Sequence, residues 1–174
     1  MIEYRVATSE DADRVAELHA DSWRRAYRGM FRDEYLDGDL VAERRRVWQE
    51  RLDRSPDNQF TWLAMDGSTL AGFVRAYGAE DPRWGSLIDN LHVAHSHRRA
   101  GIATVLMRDA ATWLVEHYGD VGVYLRVLEG NAPARRFYAT LGARNAEVTE
   151  NEVHPGGWAR SCRYVWASPH ELAG

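Results

Sequence analysis

Arg98-Arg99-Ala100-Gly101-Ile102-Ala103 sets two guanidinium groups and a glycine between an apolar stretch, residues 87–93, and a long amphipathic run. The order reads as a strand, a short basic loop, and a helix that begins at the loop. Such a junction gathers unpaired backbone N–H groups, the positive end of a helix dipole and two positive side chains at one point. That is the chemistry of a phosphate or pyrophosphate site. Gly101 lets the backbone come close to a ligand because no Cβ intervenes, and Ala103 keeps the first helical turn slim. The spacing is neither Gly-x-x-x-x-Gly-Lys-Ser/Thr nor Gly-x-Gly-x-x-Gly, which disfavours a P-loop kinase and a dinucleotide dehydrogenase. Taken alone, the loop reads equally as an ordinary strand-to-helix turn that happens to be basic.

A second segment bears on the first. Residues 121–128 are rich in β-branched and aromatic side chains and predict a strand. Asn131 follows as an N-cap, Pro133 falls in the first turn, and Ala134, Phe137, Tyr138 and Leu141 recur at helical spacing before Gly142 ends the helix. Joined in this order, the Arg-x-x-Gly-x-Ala loop and the Asn-x-x-Ala-x-x-Phe-Tyr helix resemble the GCN5-related N-acetyltransferases. The resemblance runs from the first strand near Ile2 to the last near Val165. Ala143 departs from it, standing where the family often has Phe after Leu-Gly. Ala103 departs too, standing where the loop often ends in Gly.

The resemblance implies acetyl-CoA as co-substrate and no metal. It assigns the pyrophosphate to Arg98, Arg99, Ala100, Gly101, Ile102 and Ala103. It assigns the pantetheine arm to the backbone of Leu91 and Val93, with Ala134 at the start of the second helix and Asn131 meeting the pantetheine or an ordered water. The Val93 N–H is then the oxyanion donor. Acetyl transfer to an amine needs the amine neutral, and an alkyl amine near pKa 10.4 is neutral about once in a thousand at pH 7. Asp89, the acidic residue of the motif strand, is a candidate base and equally a salt-bridge partner; strand alternation puts it on one face with Leu87, Leu91 and Val93. Glu80 and Asp81 compete as loop carboxylates. Tyr138 is the candidate proton donor to the leaving thiolate, since a phenol near pKa 10 faces a thiol near 8.5.

The elements that must hold these groups begin with a strand over residues 2–7 and a helix capped by Thr8 or Ser9 with Val15, Leu18 and Ser22 inward. A second helix over residues 40–54 follows, with Leu40, Val47, Trp48 and Leu52 as its stripe and an arginine- and glutamate-rich outer face. A hairpin turns at Asp66-Gly67, and residues 80–85 and 151–158 read as loops. The fold class expected is α/β (α+β), a mixed and mostly antiparallel sheet with helices on both faces, as one domain over residues 1–174. Trp23, Tyr27 and Trp84 are candidate walls of the acceptor pocket, with His154 a further contact; Trp23 and Tyr27 read first as packing for the first helix. His92, His95 and His97 have no cysteine or paired carboxylate beside them to complete a metal set.

Net charge −4 and the lack of a basic tail argue against nucleic acid and acidic membranes as partners. No apolar run is long enough to span a bilayer, and no signal-peptide pattern precedes the first strand. Cys162 has no second cysteine to pair with, which fits a reducing, cytoplasmic setting, and it reads as core in preference to a nucleophile. All 22 basic residues other than histidine are arginine, the signature of a GC-rich coding sequence. The function expected is acetyl transfer to a primary amine of a small molecule or peptide, by direct attack in a ternary complex. A non-catalytic acyl-CoA sensor and an RNA-directed acetyltransferase are the alternatives. A homodimer is compatible with the resemblance, and the sequence does not set the oligomeric state.

Overall fold

The structure, a computed structural model, describes residues 1–153 and 157–173. Seven strands form one sheet in the order β1-β2-β3-β4-β5-β7-β6. They are β1 (Ile2–Val6), β2 (Gln59–Asp66), β3 (Thr69–Asp81), β4 (Gly85–Val93), β5 (Val123–Leu128), β6 (Arg144–Val153) and β7 (Gly157–Trp166). The helices are α1 (Ala12–Ala26), α2 (Asp33–Asp37), α3 (Leu40–Asp53), α4 (Ile102–Tyr118), α5 (Ala132–Thr140) and α6 (His170–Ala173). Pairing is antiparallel except between β4 and β5, so the sheet is mixed and mostly antiparallel, as expected. No helix among the described residues is long and apolar enough to cross a membrane.

Strand alternation sorts neighbours to opposite faces. Ala64 and Val74 join Leu106, Met107, Ala110 and Leu114 in a core under α4, whereas Leu63 and Phe73 join Val15, Ala16 and Trp48 in a second core under α1 and α3. The first helix is entered through a 3-10 turn, Ser9–Asp11, in which the Thr8 N–H donates to Asp11 Oδ2 at 2.8 Å. Asp11 is buried and takes two bonds from the Arg5 guanidinium, at 2.7 and 2.6 Å. Those bonds, foremost, hold its carboxyl down to about 2 from 3.8. The group therefore contributes about 2 kcal/mol that is fully present above pH 4 and is lost as pH falls through 2. An acid-unfolding series of Asp11→Asn against the wild type is expected to converge below pH 2 and to separate by that amount near neutrality.

Several boundaries differ from the sequence expectations. β3 runs on through Glu80 and Asp81, and β6 and β7 extend into residues 151–158, because cross-strand pairs such as Glu152 with Trp158 continue the ladder past where composition reads as loop. His154 lies outside the described residues. α2 was not legible in its five residues; it forms because Leu36 is fully buried and Arg28 bridges Asp33 and Asp37 across it.

Two irregularities shape the middle of the sheet. β4 pairs with β5 only at Ser86 with Val123 and Leu87 with Tyr124, and beyond that the two strands part. Gly85 makes the close start of this pairing, for a Cβ there would sit 1.9 Å from the Gly122 carbonyl oxygen. The second is a bulge in β4: Arg75 faces Asn90 while Ala76 faces Ile88, which leaves Asp89 as the extra residue. Strict alternation fails there. Ile88, not Leu87, joins Leu91 and Val93 against the α4 core, and Asp89 turns toward α1 and α3.

Candidate active site

The parting of β4 and β5 opens a cleft of about 560 Å³ that passes from the α4 end of the sheet to its α1 face. Its first wall is the loop before α4. Arg99 and Gly101 both take positive φ, +64° and +76°, bracketing Ala100. For an arginine that backbone costs about 1–3 kcal/mol, a strain found where a loop is shaped for a ligand. Among the described residues, the N–H groups of Ile102, Ala103 and Thr104 have no protein partner, and the first helical bond runs from Val105 to Gly101. These open donors, Gly101 and both arginines line the cleft; Ala100 does not. Thr104 is an addition that the motif spacing did not single out.

β4 supplies the second wall. The Ala94 N–H donates to the Ala71 carbonyl on β3 at 2.8 Å. By alternation the amides of Val93 and Leu91 turn the other way, toward the gap where β5 has moved off. The arrangement leaves a strand edge open inside the protein, beside the free N-terminus of α4.

α5 supplies the third wall. Asn131 caps it, its side chain accepting from the Ala134 N–H at 3.4 Å, and Asn131, Ala134, Phe137 and Tyr138 face the cleft. The Tyr138 ring packs near Tyr164 and edge-on to Trp166, and its hydroxyl has no protein partner among the described residues. Burial, reinforced by Tyr27, holds that hydroxyl well above the usual phenol range, so it stays protonated.

On the α1 face the cleft is lined by Ser22, Ala26, Tyr27, Asp89, His92 and Arg126. Tyr27 is pushed up to about 12 by burial and then by the Asp89 carboxylate. Asp89 accepts from Asn90 Nδ2 at 2.6 Å and lies 3.5 Å from Arg51 Nη2, an ion pair at the edge of the cleft it lines. His92 and Ser22 were not singled out for this wall; the Ser22 hydroxyl and His92 Nδ1 are 2.7 Å apart.

Some candidates lie elsewhere, and the histidines divide. Trp84 is not among the cleft-lining residues; the guanidinium groups of Arg83 and Arg163 lie over its ring, at 4.5 and 4.8 Å. Trp23 also stays out of the cleft, packed on Tyr27, Phe31 and His19 beneath Arg44. Asp81 closes the β3–β4 turn by accepting from the Arg83 and Trp84 N–H groups, and Glu80 accepts from Asn58. His97 meets Asp66 while His92 meets Ser22, so the histidines go to separate partners. Cys162 is buried in the α4 core.

Comparison with known proteins agrees with this architecture. An uncharacterised N-acetyltransferase of Bacillus subtilis, YuaI, is 27% identical over 156 residues, 88% of this chain and 86% of that protein. The streptothricin acetyltransferase of Streptomyces lavendulae is 39% identical over 84 residues, 48% of this chain and 42% of that protein. The crystal structure of Arabidopsis thaliana NAA60 in complex with acetyl-CoA superposes with a TM-score of 0.72 at 23% identity, covering 95% of this chain and 98% of that one. Residues 12–143, most of the chain and all three walls of the cleft, match the acetyltransferase (GNAT) family, and the chain belongs to it.

Proposed function

We propose that the protein transfers the acetyl group of acetyl-CoA to a primary amine of a small molecule or peptide, by direct attack with both substrates bound. The observation that carries this is the open edge of β4, with the Leu91 and Val93 amides beside the uncapped start of α4. A pantetheine amide chain pairs with such an edge as an added strand, and a pyrophosphate is held by helix N–H groups and guanidinium charge. The residues fit the group: Gly101 has nothing within 4 Å of where a Cβ would stand. Bound there, acetyl-CoA supplies the acetyl group as an activated thioester.

This chain's residues then do the rest. The Val93 N–H is the donor placed for charge developing on the carbonyl oxygen. Tyr138 presents a protonated hydroxyl to the departing sulfur. Asp89 and Tyr27, on the far wall, provide a polar mouth for the acceptor amine. A relative named for streptothricin supports a small-molecule acceptor.

Calorimetric titration with acetyl-CoA, and thiol release with and without a pool of primary amines, test the proposal. Amine-dependent release supports it; the absence of acetyl-CoA binding sinks it. Replacing Arg98 and Arg99 together by glutamine is expected to weaken acetyl-CoA binding about 10- to 100-fold, the worth of a charge-assisted hydrogen bond. The deficit is expected to shrink at high salt. An unchanged dissociation constant would take the two arginines out of the cofactor site.

A further inference from the structure

We propose that His92 takes the proton from the acceptor amine, with Ser22 as its positioning residue and Asp89 serving as counter-ion to the neighbouring guanidinium groups. This rests on the acetyl-transfer reading of the cleft.

His92 lines the cleft on the α1 face, one residue before Val93. The bulge at Asp89 sets it there, by shifting the alternation of β4 through one position. Its ring lies over Phe73, at 5.3 Å, and against His19, at 4.6 Å, which fixes the plane. Nδ1 is engaged by Ser22, whereas Nε2 has no protein partner among the described residues. When Nδ1–H donates to Ser22 Oγ, the Nε2 lone pair is left facing the cleft.

Asp89 is placed for a different task. It is beside Arg51, whose Nη1 is buried without a partner, and its charge also acts on the fully buried Arg75. Arg75 makes its own hydrogen bonds to the Thr61 and Tyr77 hydroxyls, neither of which carries charge. Asp89, itself an exposed residue, is thereby engaged by guanidinium charge. His92 has no such tie. The groups around it are Ser22 and His19 from α1, Phe73 from β3, Asp89 from its own strand, and Tyr27 and Tyr138 across the cleft. Arg126 lines the same cleft, and Arg44 and Arg51 on α3 act on the neighbouring His19. Burial holds His92 down to about 4, so the ring is neutral and its lone pair free at pH 7.

The transfer balances. An N–H bond of the ammonium breaks as Nε2–H forms, a step uphill by about 9 kcal/mol for an amine near 10.4 that attack on the thioester draws forward, and the resulting imidazolium keeps its Nδ1–H on Ser22 Oγ. The freed lone pair attacks the thioester carbon, and the proton that nitrogen sheds after attack goes to the departing sulfur. Ammonium and thioester thus give amide, thiol and one proton, which His92 returns to solvent.

Two surrogate acceptors separate proton removal from binding: methylamine, an ammonium ion at pH 7, and hydroxylamine, largely neutral there. His92→Gln is expected to slow thiol release from acetyl-CoA about a hundredfold with methylamine and to change it little with hydroxylamine. The acidic limb of the methylamine kcat profile should move up toward the amine's own ionisation near 10.4 in that variant. Ser22→Ala should move the limb, and Ser22→Thr should restore it. Equal loss with both amines, or no loss with either, overturns the proposal. A third measurement needs no acceptor: ¹⁵N spectra of the His92 ring in the coenzyme A complex, assigned against His92→Gln. A bare Nε2 at pH 7 supports the proposal, and an Nε2–H tautomer overturns it. Absence of acetyl-CoA binding by the wild type would instead overturn the acetyl-transfer reading.

Discussion

Replacing Tyr138 by phenylalanine is expected to lower turnover about a hundredfold while acetyl-CoA affinity changes little. The expectation follows from where the hydroxyl is and what state it is in. It faces the cleft from α5 with no protein partner among the described residues, and its ring is held by packing near Tyr164 and Trp166. Phenylalanine keeps that packing and removes only the donor. Burial raises the hydroxyl above its ordinary value. Even an unshifted phenol near 10 lies about 1.5 pKa units above a thiol near 8.5, so complete transfer to a thiolate is uphill by about 2 kcal/mol, and the raised value makes it steeper. Tyr138 therefore serves best as a hydrogen-bond donor that stabilises the sulfur as it gains charge, with the net proton arriving from the amine. Steady-state kcat beside a calorimetric dissociation constant checks this. Equal turnover in the variant would remove Tyr138 from the mechanism, and a parallel loss of affinity would make it a binding residue.

Trp48→Ala is expected to cost about 4 kcal/mol of folding stability, read as a lower midpoint in urea with an unchanged slope. Trp48 is fully buried on α3 and packs edge-on to Phe73 at 5.2 Å. The guanidinium groups of Arg51 and Arg75 lie over its ring at 5.1 and 5.7 Å. Its Nε1–H donates to His19 Nδ1 at 2.9 Å, which places the proton of the neutral His19 ring on Nε2. Trp48→Phe separates the two contributions: it keeps an aromatic ring but leaves His19 without its donor, at about 1–3 kcal/mol. If Trp48→Phe is as stable as the wild type, the indole bond is dispensable. Because His19 lies against His92, both variants are also expected to perturb the cleft from beneath.

The sheet, its two layers of helices and the loop before α4 were legible because each is a local pattern. Gly101 with Arg98 and Arg99 announces a helix start that wants an anion, and Asn131 with Pro133 announces another. The bulge at Asp89 was not legible. Alternation through Leu87, Asp89, Leu91 and Val93 assumes an uninterrupted ladder, and nothing in those residue types declares an extra residue opposite β3. Ser22 and His92 are 70 positions apart, and each has an adequate local explanation, one on the inner face of a helix and the other within a histidine-rich stretch. Their partnership depends on how α1 lies across β4. Trp84 was misleading for the opposite reason: an aromatic beside two acidic residues suits a pocket wall, yet the Arg83 and Arg163 guanidinium groups already lie over its ring.

The brief pairing of β4 with β5 has a mechanical consequence. A sheet joined at its middle by two residue pairs has a seam, with β1 to β4 on one side and β5 to β7 on the other. The core under α4 spans that seam, while on the opposite face Leu128 reaches across to Phe31 and Leu36. Anything that lies along the open edge of β4 becomes the mortar between the two halves. Ligand occupancy and resistance to unfolding are then a single thermodynamic quantity, rising together with ligand concentration.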